Sequence, residues 1–197
     1  LARSPGTAPH VRESYIIGMA GQFYSQDEWN CLIHTLNLAE WRIAGRPVRI
    51  RVLGGSFKAF TQSPGDFEYL GWRSQEETIR LLAETDLLYL PYWFSEKFRE
   101  EACYSFPSKL VTYFAAGRPA FFHGPDYASP AQYLKEHRAA HLCHSMDPPA
   151  VLNGLKSLLC DQAAYAAFAR NGSACFARDF TLERMRETFF DFLRPSQ

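Results

Sequence analysis

Two hydrophobic periods alternate along this chain. Short apolar runs at 14–20 (SYIIGMA), 48–53 (VRIRVL), 86–90 (DLLYL), 120–122 (AFF) and 140–143 (AHLC) have the length and bounds of buried strands, and 67–70 makes a shorter one. Between them the period lengthens. Trp29, Leu32, Ile33, Leu36, Leu38 and Ala39 give one apolar side to a helix over 26–44, which Gly45 stops. Ile79, Leu81, Leu82 and Ala83 do the same for a helix capped by Ser74, with Glu77 in the capping-box position. Leu110, Val111, Phe114 and Ala115 predict a helix that starts at Pro107, where a missing N–H costs nothing, and ends at Gly117 and Pro119. Further helices are expected over 129–137, 148–159, 161–177 and 181–193, the last capped by Thr181.

No hairpin signature interrupts the alternation. The pattern predicts an α/β fold, a doubly wound parallel sheet flanked by helices, over 14–197, with 1–13 as a linker. The alternating arginines of 48–53 suggest a strand with one partly solvated side or an edge position. Residues 56–66 read as a polar loop around Ser63-Pro64-Gly65, and 91–106 as a long aromatic and charged one, the kind that carries function in compact domains. Ligands of such folds sit at the carboxyl ends of the strands. That edge collects the turns at 21–25, 54–57, 71–74, 91–109 and 123–129.

Composition narrows the function. Among 197 residues the 21 basic and 21 acidic side chains cancel, so no global charge draws the chain to nucleic acid or an anionic membrane. No apolar run approaches the length of a membrane span, and no signal peptide is visible. Cys31, Cys103, Cys143, Cys160 and Cys175 are unevenly spaced, form no CxxC, and read as reduced and structural, which points to the cytoplasm. The opening at Leu1 suggests a piece of a longer protein.

The richest stretch is YSFPSKLVTYFAAGRPAFFHGP at 104–125. It delivers Ser108 and Lys109 to a helix N-terminus, where unpaired backbone N–H groups and the positive dipole end favour an anion, and a lysine adds a mobile charge suited to phosphate. Capping alone also accounts for a Pro-Ser-Lys start. Gly54-Gly55 offers a backbone able to approach a ligand closely. Arg73 and Arg118 are alternative phosphate charges, Arg118 equally suited to a helix C-terminus. Glu96, Glu100 and Glu101 read as a solvated charged loop. Tyr92, Trp93 and Phe94 suit either stacking on a base or sugar, or covering an interdomain surface. His141, Cys143 and His144 lack zinc spacing, and no metal site is expected. No Ser/His/Asp set and no GxxxxGK motif occurs.

From Ser14 onward, the order of elements and the segments DLLYLP and FPSKLVTYFAAGRP resemble one half of a GT-B glycosyltransferase. The chain is similar to the carboxyl-terminal, nucleotide-sugar-binding domain of the group 1, family 4-like enzymes. The resemblance implies donor binding, with the nucleotide sugar as substrate and no separate cofactor. It implies the diphosphate at Ser108 and Lys109, with Gly21-Gln22 approaching the phosphates and the Gly54-Gly55 strand end beside them. The base would lie at the turn of Trp72 and Arg73, and the sugar near His123-Gly124. An absent amino-terminal domain would hold the acceptor, be it carbohydrate, lipid-linked or small, and an isolated domain would show little transfer. No catalytic residue is assigned. The segment 21–28 lacks the Arg and Lys common in the family, Thr112 replaces the carboxylate expected to hold the ribose, and Tyr104 stands where its partner Glu would be. A carboxylate accepts both ribose hydroxyls, while a threonine offers one modest hydrogen bond. These departures keep open a non-catalytic nucleotide-sugar or carbohydrate-recognition module, and a sugar-nucleotide epimerase half shares the fold.

Overall fold

The computed structural model describes residues 2–55 and 67–193. The polar loop read at 56–66 lies outside them. In chain order the elements are β1 (Tyr15–Gly21), α1 (Gln26–Leu38), β2 (Arg42–Ile43), β3 (Arg46–Gly54), β4 (Phe67–Gly71), α2 (Gln75–Ala83), β5 (Leu87–Pro91), α3 (Arg99–Tyr104), α4 (Ser108–Ala116), β6 (Ala120–His123), α5 (Ser129–Glu136), β7 (Ala140–Cys143), α6 (Pro148–Cys160), α7 (Gln162–Asp179) and α8 (Leu182–Leu193).

β1 pairs in parallel with β3 on one side, from Tyr15 opposite Val48 to Gly21 opposite Gly54, and with β5 on the other. β4 takes the free edge of β3, while β6 and β7 follow β5, all parallel. The chain thus winds outward from β1 to β3 and β4, then crosses back to β5, β6 and β7. The reversal between β1 and β5 is a topological switch point, the place where doubly wound sheets form a ligand crevice.

Both faces of the sheet are covered, as its parallel strands β1 and β3–β7 require. Ile17, Met19, Ile50, Tyr89 and Phe121 point to one side and pack with Trp29, Leu32 and Leu36 of α1 and Val151, Leu155 and Leu158 of α6. Their strand neighbours Ala20, Leu53, Leu88, Leu90 and Phe122 face the other side, against Leu82 of α2, Leu110, Tyr113 and Phe114 of α4, and Leu134 of α5. The apolar runs carry no alternation because each face has its own core.

Several sequence expectations are corrected. The helix over 26–44 stops at Leu38, because Glu40 (φ 51°) and Trp41 (φ 52°) adopt left-handed backbone that turns the Trp41 ring into the core. A hairpin follows where none was expected. β2 pairs antiparallel with the start of β3 through the two-residue turn Ala44-Gly45, both at positive φ (49° and 81°), the geometry of a primed turn. Ala-Gly lacks the Asn or Asp that usually announces such a turn. β3 is no edge strand: Arg49 is exposed, while Arg51, 8% exposed, lies buried between Glu68 at 2.7 Å and Glu84 at 3.1 Å. The loop after β5 holds a 3-10 turn (Glu96–Phe98) and α3. Pro107 stands just before α4, which opens at Ser108, and offers it no side-chain cap.

Residues 2–13 carry no helix or strand, yet they are held against the domain. Arg3 and Gly6 donate backbone N–H groups to the carbonyls of Ala115 and Gly117, each at 2.8 Å. The fully buried Asp86 accepts from the backbone of His10 at 2.6 Å and Ile16 at 2.7 Å.

Candidate functional site

A cavity of about 780 Å³ opens at the carboxyl ends of the strands, on the switch point. The end of β1 (Ala20, Gly21, Gln22), the end of β3 (Leu53, Gly54), the β4–α2 turn (Trp72, Arg73) and the start of α4 (Pro107, Ser108, Lys109, Thr112) all face it.

The sequence builds this edge for close approach. Gly21 (φ 95°) and Gly54 (φ 126°) end paired strands in register, and a Cβ on Gly54 would stand 2.4 Å from the Gly21 carbonyl oxygen. No side chain fits there. α4 is fastened over these ends by Tyr113, whose hydroxyl donates to the Tyr89 carbonyl at 3.0 Å and accepts from the Ala20 N–H at 3.3 Å. That pair of bonds fixes the height of the helix start above β1 and β5.

The α4 N-terminus is bare. Side chains cap α2 (Ser74), α6 (Asp147) and α7 (Asp161), whereas Pro107 offers no cap and the first turn of α4 holds no acid. The Leu110 N–H turns back to the Pro107 carbonyl at 3.0 Å, while the N–H groups of Ser108 and Lys109 have no carbonyl one turn back to meet, so the positive dipole end faces the cavity. Beside it the Lys109 ammonium donates to the Gln22 carbonyl at 2.9 Å and lies 4.0 Å from the centre of the Tyr24 ring. Among the described residues it has no carboxylate partner, and burial brings its pKa down to about 7. An entering anion offsets that burial cost, so the site favours negative charge.

An aromatic wall closes the inner side. Tyr24 and Trp93 lie 4.9 Å apart and Tyr92 and Trp93 5.1 Å apart, with Phe98 behind Trp93 at 5.4 Å. Tyr92 is spent on structure, its hydroxyl bonded to Ser105. Trp93 lines the cavity, and Phe94 packs against His123 instead. Trp72, at the opposite lip, is 67% exposed and presents an open indole face.

Of the residues selected from the sequence, Gly21, Gln22, Gly54, Trp72, Arg73, Ser108, Lys109 and Thr112 converge on the cavity, with Gly55 adjoining Trp72. His123 and Gly124 do not line it. His123 is fully buried, with Nε2–H donating to the Ser145 carbonyl at 2.8 Å and Nδ1 2.7 Å from the Tyr89 hydroxyl. That arrangement suits the neutral ring, and burial lowers the pKa to about 4. Gly124 permits close passage beside Tyr92, where a Cβ would come within 2.7 Å. Arg73 reaches Glu77 at 3.4 Å from the cavity lip. Arg118 instead donates to the Ala83 carbonyl at 2.8 Å, at the end of α2. Tyr104 is 88% exposed, and Glu96, Glu100 and Glu101 stay off the cavity lining. His141 stacks on Phe121 and His144 bonds the Gly124 carbonyl. Tyr24 escaped the sequence reading. Its place in the first turn of the ligand edge was its one signal.

No protein-family model matches the chain. No curated protein matches it by sequence. Solved structures do match in shape. HepE of Anabaena, solved with UDP-glucose, superposes with a TM-score of 0.69 at 14% identity, over 91% of this chain and 48% of its own. Sucrose-phosphate synthase of Thermosynechococcus elongatus gives 0.67 at 13%, over 91% and 46%. WaaG, a glycosyltransferase involved in lipopolysaccharide biosynthesis, gives 0.60 at 14%, over 93% and 48%. This chain spans about half the length of each. It has the Rossmann-like fold of one half of a GT-B glycosyltransferase.

Proposed function

We propose that this chain is the nucleotide-sugar-binding half of a glycosyltransferase. The observation that carries the reading is Lys109, a cation without a carboxylate partner among the described residues, beside the uncapped start of α4 in a switch-point cavity. A diphosphate fits that chemistry: the α4 N–H groups and Lys109 bind its oxygens, and the glycine-ended strands let it approach. Trp72 supplies a face for the base. In transfer, the same donors stabilise charge developing on the departing nucleotide diphosphate, an electrostatic contribution with no covalent step. Acceptor binding would fall to a second half. Neighbours of this fold include HepE solved with UDP-glucose, which supports a nucleotide sugar as the ligand class.

Calorimetric titration with uridine, guanosine and adenosine diphosphates tests the reading. One of them should bind, and Lys109→Met should weaken it by about tenfold or more, the scale of a lost charge-assisted bond. Binding that survives unchanged in a folded Lys109→Met variant contradicts the assignment.

A second reading is favoured by one observation: no carboxylate lines the cavity among the described residues. A recognition module without transfer has the same phosphate site and lacks the rest. Release of nucleotide diphosphate from a bound sugar nucleotide, on adding the protein's second half or an acceptor, separates the two.

A further inference from the structure

We propose that Tyr24 is a positioning residue for the anion site: its ring face carries the Lys109 ammonium, keeping it charged and in place at the start of α4. This role rests on the phosphate reading of the cavity given above and falls to a residue which that reading leaves without one.

Few groups hold Lys109. Its stem runs past the end of β1, where a Cβ on Gly21 would stand 3.8 Å from the Lys109 Cε. Among the described residues its ammonium has one hydrogen-bond acceptor, the Gln22 carbonyl at 2.9 Å, and it lies 4.0 Å from the centre of the Tyr24 ring. The side chains of Gln22, Gln75, Thr78, Ser105, Ser108 and Thr112 also line the cavity and can bond whatever enters, but among the described residues none of them bonds the amine.

A cation this close to an aromatic face is attracted by the negative charge of the π system, the more so as water is excluded. Burial works the other way and disfavours the ammonium. The ring therefore offsets part of the cost of keeping Lys109 charged. No titrating neighbour takes over that task. Tyr92 and Tyr113 lie near the Tyr24 phenol, and burial raises all three above the ordinary tyrosine range, so each is neutral near pH 7. Of the acids at the start of α1, Asp27 is exposed and Glu28 accepts from the Phe94 N–H at 2.7 Å. Arg73, also on the lining, pairs with Glu77.

Two features of the turn put the weight on the ring. The Tyr24 hydroxyl is buried with no hydrogen-bond partner among the described residues, so it contributes no bond. The next residue, Ser25, adopts left-handed backbone (φ 58°), a strained choice for a residue with a Cβ, and its side chain gives α1 no cap. That strained corner delivers the ring to Lys109, with Trp93 packed beside it at 4.9 Å.

The test is a pair of variants, Tyr24→Leu and Tyr24→Phe, each checked for folding by thermal melting. Leucine keeps apolar bulk over the amine and has no π face; phenylalanine keeps the face. The titration midpoint of Lys109, read from its 13Cε resonance in the unliganded chain, should fall by about half a pH unit or more in Tyr24→Leu and return close to wild type in Tyr24→Phe. Affinity for inorganic pyrophosphate at pH 7, measured by calorimetry, should drop by about threefold or more with leucine and recover with phenylalanine. A midpoint unchanged or raised in a folded Tyr24→Leu variant, or an affinity that phenylalanine fails to restore, overturns the proposal. A wild-type chain that binds neither pyrophosphate nor any of UDP, GDP and ADP overturns the phosphate reading and the anion-holding role with it. The Lys109 midpoint separates that failure from a failure of the ring to hold the amine.

Discussion

At the residue scale, Lys109 gives a signed prediction. Its pKa of about 7 in the folded chain lies below the ordinary lysine value of 10.5 because burial disfavours the ammonium. Between those values the unfolded chain keeps a proton that the native chain has released. Stability therefore rises with pH across that window, and the cost of burying the charge is complete below it. Urea midpoints at pH 7 and 9.5 should show this rise in wild type and not in Lys109→Met. Anion affinity should move the other way, falling from pH 7 to 9 as the amine loses its proton. Ser108 and Lys109 were legible in the sequence as phosphate-type residues at a helix start. His123 was not legible, since a histidine at a strand end suits a site or a core equally. Only the Tyr89 hydroxyl and the Ser145 carbonyl, both distant in sequence, decide for the core.

At the scale of elements, α4 works because Tyr113 ties it to two strands. Tyr113→Phe keeps the ring and removes both hydrogen bonds, leaving the Ala20 N–H and Tyr89 carbonyl buried without that partner. The expected loss is about 1–3 kcal/mol in chemical denaturation, with weakened anion binding as the helix start loosens. α8 behaves oppositely. Each of its residues, Leu182–Leu193, is exposed, including Phe189, Phe190 and Phe192. Ending the chain after Thr181 should change unfolding free energy by no more than about 1 kcal/mol. Strand and helix cores were readable from periodicity. The β2–β3 hairpin was not, because its Ala44-Gly45 turn resembles a helix stop and β2 is two residues long. The end of α1 at Leu38 depends on left-handed backbone at Glu40 and Trp41, which Trp41 burial stabilises and no local pattern announces.

At the scale of the whole molecule, the sequence of elements made a doubly wound sheet legible, and the strand order then put the glycine ends and α4 on one crevice. The aromatic wall was harder to read, because Tyr24 and Trp93 come from separate crossovers and meet only in three dimensions. The central claim is that a nucleoside diphosphate lies across that crevice at the α4 start. The most direct measurement is a titration of the 15N-labelled protein with UDP, GDP and ADP, followed by amide and indole resonances. The account predicts saturable shifts concentrated on Gly21, Gln22, Gly54, Ser108 and Lys109 and on the Trp72 indole, with a midpoint moved about tenfold or more to higher ligand concentration in Lys109→Met. Shifts confined to other surfaces, or none with any of the three nucleotides, would contradict it.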